Sequence, residues 1–188
     1  MKTAHESTNN RMPTVFIPHG GGPCFFMEWQ PRNAWDKMAT YLRSISSGLP
    51  MQPKAIVMIS AHWLETDVQV TSGAQPDLIY DYHGFPPHTY ELRYPAPGNP
   101  DLAARLVNLL NHAGIKASEN ASRGFDHGMF IPMLLMFPEA QIPVVQLSLN
   151  SSLDPAAHLA IGRALISLRD EGVLIVGSGM SFHNMRGY

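Results

Sequence analysis

The sequence predicts a single-domain α/β protein with a mixed, mainly parallel central sheet flanked by helices. Short, continuously apolar runs alternate with stretches of helical periodicity, which is typical of strands that are buried on both faces and connected by helices. A length of 188 residues suits one domain, and a hydrophobic content of 45% allows a sizeable core. We expect residues 1–12 to form a flexible tail and residues 13–188 to form the domain.

The individual elements follow from local patterns. Buried strands are predicted at residues 14–17, 54–60, 143–149 and 173–176, and a half-exposed strand at 67–72. Helices are predicted at residues 33–47, 99–114, 129–137 and 154–171. The helix predicted at residues 99–114 has the clearest ends. Asn99 suits the N-cap, Pro100 suits the first helical position, and Gly114 suits a left-handed residue at the C-terminal end.

Composition argues against several classes of function. Thirteen Lys and Arg residues against fifteen Asp and Glu residues leave a net charge of −2, so we expect no nucleic-acid partner. No apolar run approaches the roughly 20 residues of a membrane span, and the polar N-terminus does not resemble a signal peptide. We therefore expect a cytoplasmic protein with no membrane partner. The single cysteine, Cys24, excludes an intramolecular disulfide and a multi-cysteine zinc site.

Histidines follow three of the predicted strands, at the point where each strand ends. His19 follows the first strand, His62 the second and His183 the last, while His127 precedes an apolar helix. Because the carboxyl ends of strands border the ligand crevice in open α/β sheets, we expect these side chains to share a site. Neutral imidazoles suit Fe, Zn, Cu or Ni. The spacing therefore predicts a metal site at this edge of the sheet.

Two further segments bear on the function. Residues 80–88, rich in aromatics and prolines, are predicted to form a loop over a pocket that contacts a planar ligand by stacking. The glycines at 20–22 after His19 resemble an esterase oxyanion motif, with Ser178 as the candidate nucleophile. A Gly-x-Ser-x-Gly motif is absent, so an esterase is the weaker alternative. We expect the glycines to let the backbone pass close to a metal-bound ligand.

Six segments together resemble the class III extradiol ring-cleavage dioxygenases, specifically their DOPA-type branch. The segments are residues 18–20, 60–63, 94–98, 124–128, 145–148 and 177–184, in the order of the family. The resemblance implies a non-haem enzyme that inserts both atoms of O₂ into a catecholic ring and opens it. It implies Fe(II) for activity, with Zn(II) as a plausible bound metal, and a small-molecule catechol and O₂ as partners. The alternative is a zinc-binding relative of the same fold without ring cleavage, acting as a hydrolase or a binding module.

The resemblance also implies a role for each histidine. His19 and His62 match metal ligands, and His127 matches a residue that contacts the substrate or oxygen. His183 matches an acid/base beside the metal, which in this branch is close enough to count as a third ligand. Family chains run on by several tens of residues and supply a later histidine ligand, whereas this sequence ends at Tyr188. We therefore expect the domain to be truncated at its C-terminus.

Overall fold

The computed structural model describes residues 11–181. Residues 1–10 of the predicted tail and residues 182–188, which include His183, lie outside the described residues. The strands in this range are β1 Thr14–Pro18, β2 Ala55–Glu65, β3 Val68–Thr71, β4 Leu78–Ile79, β5 Ala117–Asn120, β6 Phe125–Asp126, β7 Val144–Asn150 and β8 Val173–Gly179. The α-helices are α1 Asp36–Ile45, α2 Pro100–His112, α3 His127–Met136 and α4 Pro155–Ala164. Among residues 11–181, none of the helices combines the length and apolar character that a membrane crossing requires.

Six of the strands form one sheet in the order β1-β8-β2-β7-β3-β5. Neighbouring strands run parallel except for the pair β3 and β7, which is antiparallel. Strands β4 and β6 form a separate small parallel pair. The predicted single-domain α/β fold with a mixed, mainly parallel sheet is therefore confirmed.

Side chains alternate along the strands and build a hydrophobic core on each face of the sheet. On one face, Ile56 and Met58 of β2 pack with the buried residues of α1 and α3. On the other face, Val57 of the same strand packs with the buried residues of α2 and α4. Because both faces are covered, the apolar runs of the inner strands β2, β7 and β8 are largely buried, as the sequence predicts. The predicted burial of residues 14–17 was wrong, because β1 lies at the edge of the sheet and Phe16 is 62% exposed. The strand predicted as half-exposed, β3, has three of its four residues buried.

Helix α2 begins and ends as its sequence predicts. The Asn99 side chain accepts a hydrogen bond of 3.0 Å from the backbone N–H of Leu102, and Pro100 occupies the first position. Gly114 follows the helix with a φ of +77°, a left-handed conformation that glycine adopts without steric cost. These local signals need no tertiary contact to act.

Several predicted boundaries were wrong. Helix α1 begins at Asp36 instead of residue 33, and strand β8 continues to Gly179 instead of ending at residue 176. Strand β2 continues to Glu65 instead of ending at residue 60, because its register with β7 shifts between Ile59 and Leu64 and pairing then resumes. Helix α4 ends at Ala164, and the predicted remainder forms a separate 3₁₀ helix, Ile166–Glu171. Helix α3 begins at His127, two residues earlier than predicted.

Candidate metal centre

Three of the predicted histidines converge at one edge of the sheet. His19 directly follows β1, His62 lies within β2 and His127 is the first residue of α3. One ring nitrogen from each lies within 4.8 Å of the other two. The Nε2 atoms of His19 and His62 are 3.0 Å apart, and the ring centroids of His62 and His127 are 4.0 Å apart. His62 therefore reaches the expected site from inside a strand and not from the loop after it.

Strand β8 brings the histidines together because it lies between β1 and β2 and runs parallel to both. Pro18 of β1 pairs with Gly179, and Ser60 of β2 pairs with Ser178. The strands on either side of β8 therefore bring His19 and His62 to the same edge of the sheet. Gly128 lets α3 approach closely, because a Cβ there would overlap Ser60 Oγ and lie 3.0 Å from a carbon of the His62 ring.

Ser178 orients the ring of His19. The Ser178 hydroxyl donates its proton to the carbonyl of Gly128, and its oxygen lies 3.0 Å from Nδ1 of His19. A hydroxyl has one proton, so Nδ1 of His19 is the donor in this contact and Nε2 keeps its lone pair. Ser178 is only 3% exposed, and its proton is engaged. This arrangement does not favour the alternative in which Ser178 acts as an esterase nucleophile.

Asp81 faces the Nδ1 atoms of the other two rings. Its Oδ1 accepts hydrogen bonds from the backbone N–H of His127 at 2.9 Å and from Nδ1 of His127 at 2.8 Å. Its Oδ2 lies 3.6 Å from Nδ1 of His62. Burial alone would raise the pKa of the Asp81 carboxyl, but the two hydrogen bonds and the charges of both imidazoles outweigh it and lower the pKa below its usual value.

A second carboxylate, Asp126, supports the backbone behind the rings. It is fully buried and accepts hydrogen bonds from Ser60 Oγ at 2.6 Å, from Gln146 Nε2 and from Arg123 Nη2 at 3.3 Å. The Ser60 oxygen in turn accepts from the backbone N–H of His62 at 3.1 Å. This network, Asp126 with Ser60, Gln146 and Arg123, fixes the segment of β2 that carries His62.

An aromatic cavity of about 600 Å³ opens above the histidines. Its wall consists of aromatic side chains, glycines, one histidine, one methionine and one carboxylate: Trp29, Trp35, Tyr82, Phe85, Gly20, Gly21, Gly22, His83, Met180 and Asp81. The segment predicted to cover a pocket supplies several of these residues, as expected. Flat aromatic walls above a cluster of imidazoles suit a planar aromatic ligand that reaches the cluster with one edge.

The cluster fits a metal ion. The 3.0 Å between Nε2 of His19 and Nε2 of His62 is less than twice the ~2.0–2.1 Å of a metal–imidazole bond, so one ion can contact both atoms. Nitrogen ligands of this kind suit iron or zinc. His127 lies near enough to join them. His183 is outside the described residues, so its predicted roles as ligand and acid/base stay predictions.

Sequence reasoning missed Asp81, the orienting contact of Ser178, and the two tryptophans of the cavity wall. Asp81 did carry a signal, because it is an isolated carboxylate in an aromatic stretch of a chain with only 15% charged residues. Trp29 and Trp35 carried none, since their place in the cavity depends on how the segment between β1 and α1 folds back.

The fold and the histidine cluster define an α/β protein with a candidate metal centre, and comparison with known proteins assigns the family. The family model described as the catalytic LigB subunit of aromatic ring-opening dioxygenase matches residues 13–188. The chain belongs to this family, the class III extradiol dioxygenases, as its motifs predict.

Several curated proteins are similar over most of the chain. "Dioxygenase tasH" of Hapsidospora irregularis is 43% identical over 93% of this chain and 55% of its own length. "4,5-DOPA dioxygenase extradiol" of Beta vulgaris is 42% identical over 96% of this chain and 66% of its own length. The protein of the same name from Escherichia coli K12 is 40% identical over 95% of this chain and 63% of its own length. The chain thus spans 55–66% of the length of these relatives.

A solved structure supports the fold independently. The crystal structure of an uncharacterized protein from Escherichia coli K12 has a TM-score of 0.72 and 39% sequence identity to this chain. The match covers 94% of this chain and 63% of that one. The sheet and helices described above therefore resemble a region that covers 63% of that chain.

Proposed function

We propose that this chain is the catalytic portion of a metal-dependent extradiol dioxygenase that opens a catechol ring with both atoms of O₂. The observation that supports this function is the cluster of His19, His62 and His127 at the floor of an aromatic cavity, in a member of a ring-opening dioxygenase family. The names of the relatives make DOPA the first candidate substrate.

In this proposal His19 and His62 hold the metal, and His183 is the third protein ligand. When bound by these residues, Fe(II) would supply open coordination positions and the redox chemistry that the reaction of a catechol with O₂ needs. Zn(II) binds nitrogen ligands more tightly than Fe(II), so we expect purified protein to carry zinc unless it is reconstituted. Metal analysis of purified material alone is therefore a poor guide to the native metal.

His127 is proposed to move the proton. Its Nδ1 is hydrogen-bonded to Asp81, so Nε2 is the atom that can accept a proton from a catechol hydroxyl. An imidazole can accept a proton and return it near neutral pH, as ring opening requires of a base that later acts as an acid. His183, predicted as a second acid/base, would share this work if it does not bind the metal.

The cavity wall is proposed to position the ring. Tyr82 and Phe85 face the cavity from the loop side, and Trp29 and Trp35 face it from the segment before α1. Their flat surfaces favour stacked or edge contacts with a planar substrate and displace water from around it. The substrate then presents its two hydroxyls to the histidines.

The test is anaerobic reconstitution with Fe(II), followed by O₂ uptake and the absorbance of ring-opened product with DOPA and a panel of other catechols. We expect His19→Ala and His62→Ala to lose tight metal binding. We expect His127→Ala to keep the metal and lose most turnover. His112→Ala is the matched control, because His112 is exposed on α2 and bonded to the carbonyl of Asn108 in its own helix.

Each outcome bears on the assignment. Tight stoichiometric metal in His19→Ala or His62→Ala would remove that residue from the ligands. Parallel loss of metal and turnover in His127→Ala would make it a ligand. Absence of O₂ uptake by the fully loaded chain with every catechol would refute the proposed activity.

The cytoplasmic location expected from the sequence is part of the proposal, and cell fractionation with immunodetection tests it.

A further inference from the structure

One carboxylate serves two of the three histidines. Asp81 lies four residues before Phe85 in the loop over the cavity and is about three-quarters buried, with 24% of its side chain exposed. Its Oδ1 accepts from two N–H groups of His127, and its Oδ2 faces Nδ1 of His62 at 3.6 Å. None of the six family-like segments includes this residue.

We propose that Asp81 is a positioning residue that places a proton on Nδ1 of both His62 and His127, so that Nε2 of each ring keeps its lone pair. The proposal rests on the proposed function only for the use of those lone pairs, in metal binding by His62 and proton transfer by His127. The protonation pattern itself can be measured without metal or substrate.

The pattern follows from hydrogen-bond chemistry. An ionised carboxylate can only accept hydrogen bonds, so Nδ1 of His127, 2.8 Å from Oδ1, must carry a proton. The 3.6 Å between Oδ2 and Nδ1 of His62 is too long for a hydrogen bond, and the carboxylate acts on this ring through its charge. A negative charge beside Nδ1 favours the N–H at that atom over a lone pair.

Histidine ligands in metalloproteins usually donate their second N–H to a carboxylate, a carbonyl or water, which fixes the ring and its tautomer. Ser178 gives His19 a partner of this kind and Asp81 gives one to His127, whereas Asp81 acts on His62 through its charge at 3.6 Å. With both Nδ1 atoms protonated, Nε2 of His19 and Nε2 of His62 face each other as lone pairs across 3.0 Å. A cation between them, either a metal ion or a proton, relieves the repulsion.

An isosteric substitution separates this role from a structural one. In Asp81→Asn the amide oxygen still accepts from both N–H groups of His127, so the N-terminus of α3 keeps its hydrogen bond. The amide NH₂ then faces Nδ1 of His62 in place of the carboxylate oxygen at 3.6 Å. The negative charge that favoured a proton on Nδ1 is lost, and the positive end of the N–H dipole favours a lone pair there, with the proton on Nε2. The reverse orientation would set the NH₂ against the backbone N–H of His127 and is disfavoured. Asparagine thus fills the Nε2 position of His62 with a proton.

The experiment is long-range ¹H–¹⁵N correlation spectroscopy of the metal-free chain at pH 8, with urea unfolding to verify the fold. In the wild type we expect a proton on Nδ1 of His62 and of His127. In Asp81→Asn we expect Nδ1 of His62 to be bare and Nδ1 of His127 unchanged. Asp77→Asn is the matched control, because Asp77 is exposed and lies in the same connecting region. It should behave as the wild type.

A Co(II) titration of the same three proteins measures the consequence for metal binding. We expect Asp81→Asn to bind Co(II) about 10–100-fold more weakly than the wild type, as is usual when a residue behind a metal ligand is changed. Asp77→Asn should bind as the wild type does.

The protonation measurement and the Co(II) titration test separate parts of the proposal. A bare Nδ1 on either histidine in the wild type, or an unchanged His62 in Asp81→Asn, overturns the positioning role; the wild-type spectrum decides even if the variant does not fold. Equal Co(II) affinity in Asp81→Asn and wild type overturns the link from Asp81 to the metal. A wild-type chain that binds no Co(II) but shows the expected protonation refutes the metal centre of the proposed function and leaves the positioning role supported.

Discussion

Replacing Asp126 with asparagine is expected to destabilise the fold by about 2–4 kcal/mol, although the change removes no atom from the core. The carboxylate is completely buried and accepts three hydrogen bonds, from Ser60, Gln146 and Arg123. Asparagine has one acceptor oxygen and one NH₂ group. It can therefore satisfy only the donors on one side.

The magnitude follows from the donors left facing the NH₂. With the amide oxygen kept toward Ser60, the NH₂ faces Gln146 Nε2 and Arg123 Nη2, which are both donors. An unsatisfied buried donor costs about 1–3 kcal/mol. Loss of the counterion of a buried pair costs about 3–5 kcal/mol. We expect a smaller destabilisation here, because the Arg123 side chain is 22% exposed and also lies 4.5 Å from the Trp63 ring centre.

The assay is urea unfolding followed by circular dichroism, together with a thermal melt. For a chain of this size each kcal/mol lowers Tm by about 2–4 °C, so we expect Tm to fall by roughly 10 °C. Asp170→Asn is the matched control: it removes the same charge, and the 60% exposed Asp170 pairs with Arg11 at the surface. Exposed pairs contribute about 0–1 kcal/mol. Equal destabilisation by the two substitutions would refute the reasoning.

Two further predictions concern the segment after β1. Gly20→Ala should destabilise the chain by about 2–4 kcal/mol, since φ is +80° there and the new Cβ would overlap the buried Cys24 Sγ. Urea unfolding checks this against Gly21→Ala, whose Cβ meets nothing within 4 Å and should have little effect; equal stability of the two would contradict it. Burial raises the pKa of Cys24 to about 12 from an ordinary 9.0, so iodoacetamide at pH 8 should alkylate the folded chain at least about a thousandfold more slowly than the urea-unfolded chain. Similar rates in both states would show an exposed thiolate.

Much of the fold could be predicted because its signals are local. The apolar runs that became β1 and β7, and the cap and terminal glycine of α2, act within a few residues. Strand β5, Ala117–Asn120, has no such signal, since two of its four residues are exposed and it pairs through its backbone with β3. The extension of β2 was missed for a related reason. Its residues beyond 60 are not continuously apolar, and the register shift that lets pairing resume depends on β7.

The candidate site was predictable only in part. His19, His62 and His127 could be selected because they fall at or near the ends of predicted elements, and the structure does bring the three together. Asp81 could not be selected as their partner, because 46 residues separate it from His127 and no periodic pattern connects a loop carboxylate to a helix start. Contacts of this length appear only when the sheet has placed both elements at one edge.

The two carboxylates near the histidines, Asp126 and Asp81, act in different ways, as their exposure and their contacts indicate. Asp126 is fully buried and bonds to Ser60, which holds the backbone N–H of His62; it therefore acts on where β2 lies. Asp81 is 24% exposed and contacts ring nitrogens, so it acts on which atom of each ring carries a proton. Replacing Asp126 with asparagine should therefore lower the stability of the fold and shift the segment of β2 that carries the His62 ring. Changing the second to asparagine should leave the fold in place and alter only the chemistry that the rings present, which is why stability and protonation must be measured on both variants.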